Sequence, residues 1–173
     1  MENSNLAWDL LQQSVGAYCG RGVNHEGQHF TGKLTLESAI EGKMLALKSS
    51  ATGDQGEVFH EEASFLGRDL SGALQLFVAS NNHPAIVAHA FHRIEEKDGA
   101  KSVIFRFGHP ENRESFREEI TIAIHGDGSL THHYAWGMPG GDFAPRSGSR
   151  MQKLVHPWQT TSIAWPSEPG AKA

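Results

Sequence analysis

Apolar positions Leu6, Leu10 and Leu11 open the chain at helical spacing, with Trp8 and Val15 extending their face. Asn3 or Ser4 stands where a helix N-cap belongs, and Gly16 ends the run. From there the period shortens. Strand-like segments are expected at Ala17–His25, His29–Ser38, Met44–Ser50, Glu57–Leu66, Leu74–Ala79, Ala85–Glu95, Ser102–Gly108, Ser115–His125, Leu130–Trp136 and Ser149–Val155. The cleanest alternation is Ile120, Ile122 and Ile124 against Thr121 and Ala123. Turn signals separate the segments: Glu41-Gly42-Lys43, Gly53-Asp54-Gln55-Gly56, Asn81-Asn82-His83-Pro84, Lys97-Asp98-Gly99 and Gly126-Asp127-Gly128. A longer glycine- and proline-rich loop, Gly137 to Gly148, precedes the last strand.

Short connections favour pairing between neighbours in the chain, and no helical run separates the strands. The expected fold is therefore all-β: one N-terminal helix, then about ten antiparallel strands in an up-and-down barrel. A two-sheet sandwich is the competing architecture. One domain should span residues 1–158, with Trp158 at its end. Residues 159–173 form a tail whose last positions, Pro166 to Ala173, look disordered. A closed barrel of this size often encloses one ligand.

Composition narrows the function classes. A formal charge of -5, with lysines and arginines scattered singly, gives no nucleic-acid footprint. No apolar stretch approaches membrane-spanning length, and Met1 to Asn5 lack the character of a signal peptide. The single cysteine, Cys19, excludes an internal disulfide framework and suits a reducing, cytoplasmic setting. It reads as a buried structural thiol. Eleven histidines are the one compositional hint of chemistry.

His60-Glu61-Glu62 begins like a zinc-protease motif, but Ser64 stands where the second histidine belongs, and the segment is a strand. His89 and His92 fall on opposite faces of a strand, as do His132 and His133, so only one of each pair faces a lumen. Leu130, His132, Tyr134 and Trp136 share a face that suits a barrel lining, apolar with a few polar fixings. Packed core is an equal reading of that face. His60 should point inward with Val58, Glu62, Ser64 and Leu66. The carboxylate pairs Glu61-Glu62 and Glu118-Glu119 split across faces and are expected to be solvated or paired with Arg21, Arg106 or Arg117. Gly20-Arg21-Gly22 follows a helix, so it reads as close backbone packing rather than a nucleotide loop.

Val15-Gly16-Ala17-Tyr18-Cys19-Gly20-Arg21-Gly22 resembles the start of nitrobindin-type barrels, with Tyr18 in place of the family's tryptophan. Phe59 to Gly67 is similar to the nitrobindin strand whose histidine lies on the distal side of haem, and His60 matches that position. The likeness covers about the first 70 residues. It implies a ten-stranded barrel of the fatty-acid-binding, calycin (lipocalin-like) type with a lumen for an apolar ligand. The family's iron-ligating histidine belongs to the last strand. Ser149 to Val155 has none, and His156 comes only afterwards.

The expected function is non-catalytic binding of a small, largely apolar molecule, with His60, His92, His132, Tyr134 and Trp136 as lining residues. No cofactor is expected from the residues. Haem enters through the resemblance, with His92 or His132 as a substitute ligand opposite His60. An inward histidine acting as acid or base, and a packed barrel binding a partner through the Gly137–Gly148 loop, are the other readings. The expected partner is a small apolar molecule, without nucleic acid or membrane, and a homodimer stays open.

Overall fold

A computed structural model describes residues 2–154. Helix α1 (Glu2–Gln13) leads into β1 (Gly16–Asn24), β2 (His29–Ala39), β3 (Met44–Gly53), β4 (Val58–Arg68) and β5 (Leu74–Ser80). The second half is β6 (Val87–Lys97), β7 (Ala100–Phe107), β8 (Arg117–His125), β9 (Leu130–Gly137) and β10 (Ala144–Lys153). Each strand pairs antiparallel with the next, and β10 returns to β1 with Met151 opposite Gly20. The closed ten-stranded barrel with one N-terminal helix is the architecture the periodicity predicts. Closure leaves no unpaired sheet edge. Trp158 and the expected tail, with Trp165, lie outside the described residues.

The period-2 pattern places alternate side chains inside. In β2, Phe30, Leu34 and Leu36 are buried while Lys33 and Glu37 are exposed. Hairpin chemistry sets the register. Between Lys97 and Ala100, Asp98 and Gly99 adopt φ of 52° and 75°, the left-handed pair that a two-residue turn between twisted strands needs.

The interior divides into a packed half and a hollow half. In the packed half, Leu36, Leu45, Leu66, Val103, Phe105 and Ile120 are fully buried. Helix α1 plugs that end. Ala7 and Leu11 insert into the core and Trp8, Leu10 and Val15 pack against it as expected, whereas Leu6 is 46% exposed and Ala7 takes its place. Asn3 and Ser4 fall inside the helix rather than capping it. The Tyr18 hydroxyl donates to the Ser14 carbonyl at 2.6 Å, satisfying an acceptor freed at the helix end.

Three register shifts depart from simple alternation. Phe59 is the extra residue in β4, opposite Ala51 and Thr52. His60, Glu62, Ser64 and Leu66 keep the inward phase, but Val58 is thrown outward and is 55% exposed. His92 is the extra residue in β6, between Phe91 and Arg93. Arg146 is the extra residue in β10, between Pro145 and Ser147. This last strand begins at Ala144, so half of the expected Gly137–Gly148 loop is strand. Pro145 is tolerated there because the ladder is already irregular. No helix among the described residues is long and apolar enough to cross a membrane.

Candidate functional site

The β1–β2, β3–β4, β5–β6, β7–β8 and β9–β10 connections gather at the end away from α1. The hollow half opens there as a cavity of about 540 Å³. That volume lies within the range of small-molecule sites. Phe30, Phe59, Phe116, Tyr134 and Trp136 supply aromatic wall, and Val78 and Val87 aliphatic wall. Polar groups reach it at three depths.

Deepest is a cluster around Glu62, which is 3% exposed. Its carboxylate accepts from Ser64 Oγ at 2.5 Å, from the Tyr134 hydroxyl at 2.6 Å and from His60 Nε2 at 3.2 Å. Burial pushes the Glu62 pKa up, but these bonds and the His60 and His132 imidazoles outweigh it and bring it down to about 2. Glu62 is thus a buried carboxylate anion. Burial, then the Glu62 charge, raises the Tyr134 phenol well above its ordinary value, so it remains a donor. Asn82 Nδ2 donates to the Phe59 carbonyl at 3.2 Å and to His60 Nδ1 at 3.1 Å. His60 therefore carries its proton on Nε2, aimed at Glu62, and both ring nitrogens are occupied by protein partners.

At mid-depth, Glu118 lines the cavity and is backed by His89, which is fully buried. His89 Nε2 lies 2.9 Å from Glu118 Oε2, and its Nδ1 is buried without a partner. A proton on Nδ1 would be a buried donor with nothing to receive it. The ring therefore holds its proton on Nε2, toward Glu118. At the rim, the Arg146 guanidinium stacks 4.4 Å from the Trp136 ring centre. It also donates to the Trp136 and Asp142 carbonyls.

Of the residues singled out in the sequence, His60, Tyr134 and Trp136 line this cavity. His132 is buried on the same face of β9, against the Tyr134 ring, but it lines only a neighbouring void of about 30 Å³ beside Ser49 and Ser149. Desolvation lowers its pKa to about 4, so it is a neutral imidazole, and its Nε2 has no partner. His92 is not in the lining. As the extra residue of the β6 bulge it is exposed on the outer wall, where burial and the Arg106 charge lower its pKa. The inward histidine of that strand is His89.

The sequence puts Glu62 on the inward face with His60 and leaves His89 open against His92, but it reads the Glu62 and Glu118 carboxylates as solvated or arginine-paired and names His92 rather than His89. The expectation of solvation or arginine pairing holds for Glu61, which is exposed, and for Glu119, which binds Arg106 on the outer wall. Arg21 pairs with Asp54 instead. Arg117 is buried and donates to the carbonyls of Pro110, Ser115, Met138 and Gly141, tying the loops of the open end together. The signal was present: Glu62 is in phase with Leu66, and Glu118 with Ile120. Cys19 is half-buried rather than buried.

No family model and no curated protein sequence matches the chain. Among solved structures, the chain is similar to Rv2717c from M. tuberculosis, with a TM-score of 0.66 and 13% sequence identity. That match covers 86% of this chain and 97% of the other. At that identity the likeness concerns the fold.

Proposed function

We propose that this protein binds a small, largely apolar molecule in the open half of its barrel, without chemical conversion. The observation that supports it is the cavity of about 540 Å³, aromatic-walled and entered from one end, while the other half of the same barrel is packed solid. A barrel needed only as a scaffold gains stability by filling that half as well, at about 25 cal/mol per Å² of apolar surface buried. The convergent polar groups are few, as in sites that fix an apolar ligand's orientation.

The haem ligands that the resemblance implies are not in place. β10 carries no histidine, His132 sits behind Tyr134, and His92 is outside. His156 lies outside the described residues. His60 would have to give up Glu62 or Asn82 to reach a metal, leaving a buried carboxylate or an amide short of a partner. Among the described residues no group of three or more His, Cys, Asp or Glu side chains is placed to hold a metal ion. For an acid–base enzyme, the His60–Glu62–Tyr134 cluster is closed on itself, with no free His60 nitrogen facing the cavity.

Fluorescence enhancement of the apolar dye N-phenyl-1-naphthylamine tests the reading. Saturable binding to the native protein is expected, together with its loss in Ala51→Trp, which fills the cavity from the β3 wall. Unchanged binding in that variant would move the ligand elsewhere. A haemin titration is expected to give no stoichiometric, sharp Soret band.

A further inference from the structure

The charges around the cavity do not cancel, and this inference rests on the lumen-binding reading above. Three charged side chains line the cavity: Glu26 and Arg146, and, at mid-depth, Glu118. A second carboxylate, Glu62, stands behind Tyr134 and His60. The imidazoles beside these carboxylates are hydrogen-bond partners or neighbours whose second nitrogens do not reach the cavity. His60 receives a bond at Nδ1 from Asn82, His89 has no acceptor near Nδ1, and His132 is buried with an unpartnered Nε2. Arg117, the one fully buried cation among the described residues, points all its bonds at loop carbonyls and is absent from the lining.

An uncompensated carboxylate in an apolar cavity is costly unless something pairs with it. Glu118 has one protein partner, His89, on Oε2, and no bond is formed at Oε1. Phe116 and Tyr134 line the same cavity, and aromatic ring faces attract a cation.

We propose that the lumen selects an apolar molecule carrying a protonated amine, and that Glu118, held in place by His89, is the group that pairs with it. Carboxylate ligands of fatty-acid type are disfavoured. Among the described residues the only lining arginine or lysine, Arg146, is at the rim, stacked on Trp136 and bonded to two carbonyls, while the interior carries the carboxylates.

Isothermal titration at neutral pH compares three probes of one shape: 1-naphthylmethylamine, 1-naphthalenemethanol and 1-naphthoic acid. The amine is expected to bind about tenfold or more tighter than the alcohol, and the acid weakest. Glu118→Gln is expected to bring the amine to the affinity of the alcohol, with the alcohol itself changed less than about twofold. Arg146→Gln is expected to leave the order intact. If the alcohol and acid bind as well as the amine, the proposal falls while the lumen reading stands. The same holds if Glu118→Gln folds and retains the amine preference. Should that variant not fold, the order of the three probes on the native protein decides alone. Binding by none of the three, and none of the neutral dye, overturns the lumen reading and this one together.

Discussion

Glu62 is held as an anion inside a barrel by three donors, and losing one of them should be felt throughout the cluster. Tyr134→Phe removes the shortest donor from the shared carboxylate oxygen and leaves the shape of the wall unchanged. Urea denaturation at neutral pH is expected to show a loss of roughly 1.5–3 kcal/mol, the range for hydrogen bonds to charged groups. His132 makes a second prediction, this one in pH. Its folded pKa is about 4, below the ordinary value of 6.5. Between those values the unfolded chain binds a proton that the folded protein refuses. Stability from this group is therefore complete above pH 6.5 and lost as pH falls toward 4, by roughly 3 kcal/mol in all. Denaturation midpoints measured between pH 7 and pH 4 should fall accordingly. In His132→Phe that part of the slope should vanish, with little change at pH 7, because the unpartnered Nε2 leaves with the ring.

Among the elements, β1 has the least room. A Cβ added to Gly20 would lie 2.0 Å from the Arg150 carbonyl oxygen and 2.7 Å from the Met151 Cα, both backbone atoms of β10. The seam that closes the barrel thus runs over a bare backbone, which is the physical content of Gly20-Arg21-Gly22. Gly20→Ala must push β1 and β10 apart. A loss of about 1–3 kcal/mol, the usual cost of overpacking, is expected in thermal or chemical unfolding. A control is Gly27→Ala in the β1–β2 turn, where nothing lies within reach of a new Cβ but φ is +78°. Its cost would come from backbone strain, with no effect on the seam.

For the whole molecule, the division into a solid half and a hollow half should show in truncation energetics. Phe105→Ala empties the packed half beneath α1, and a loss of about 3–5 kcal/mol is expected. Phe116→Ala enlarges a space that is already open, so its cost in stability should be far smaller, while dye affinity falls. Equal stability losses in denaturant titrations of the two variants would contradict the division.

Much of this was legible in the chain. Alternation along β2, β8 and β9 specified ten strands, and short turns specified neighbour pairing. Without a bulge in β9, His132, Tyr134 and Trp136 fell on one inward face as the period requires. Alternation also made His89 and His92 mutually exclusive, but it held no information on which of them faces inward. The β5 register makes that choice, with His89 opposite the buried Leu76, while the outward turn of Val58 and the reach of Arg146 over Trp136 follow from single extra residues. A bulge reverses phase, and only the partner strand's register shows where it falls. The carboxylates illustrate the same limit. Glu62 and Glu118 were in phase with apolar neighbours, yet a charged residue alone reads as solvated, because burying it is costly. What makes burial tolerable, Tyr134 and Ser64 for one and His89 for the other, comes from positions brought together by closure of the barrel or by the pleat of a strand. The periodicity of the chain determined the barrel. The tertiary structure decided which end is hollow and which charges face the space, since both depend on contacts between residues far apart in sequence.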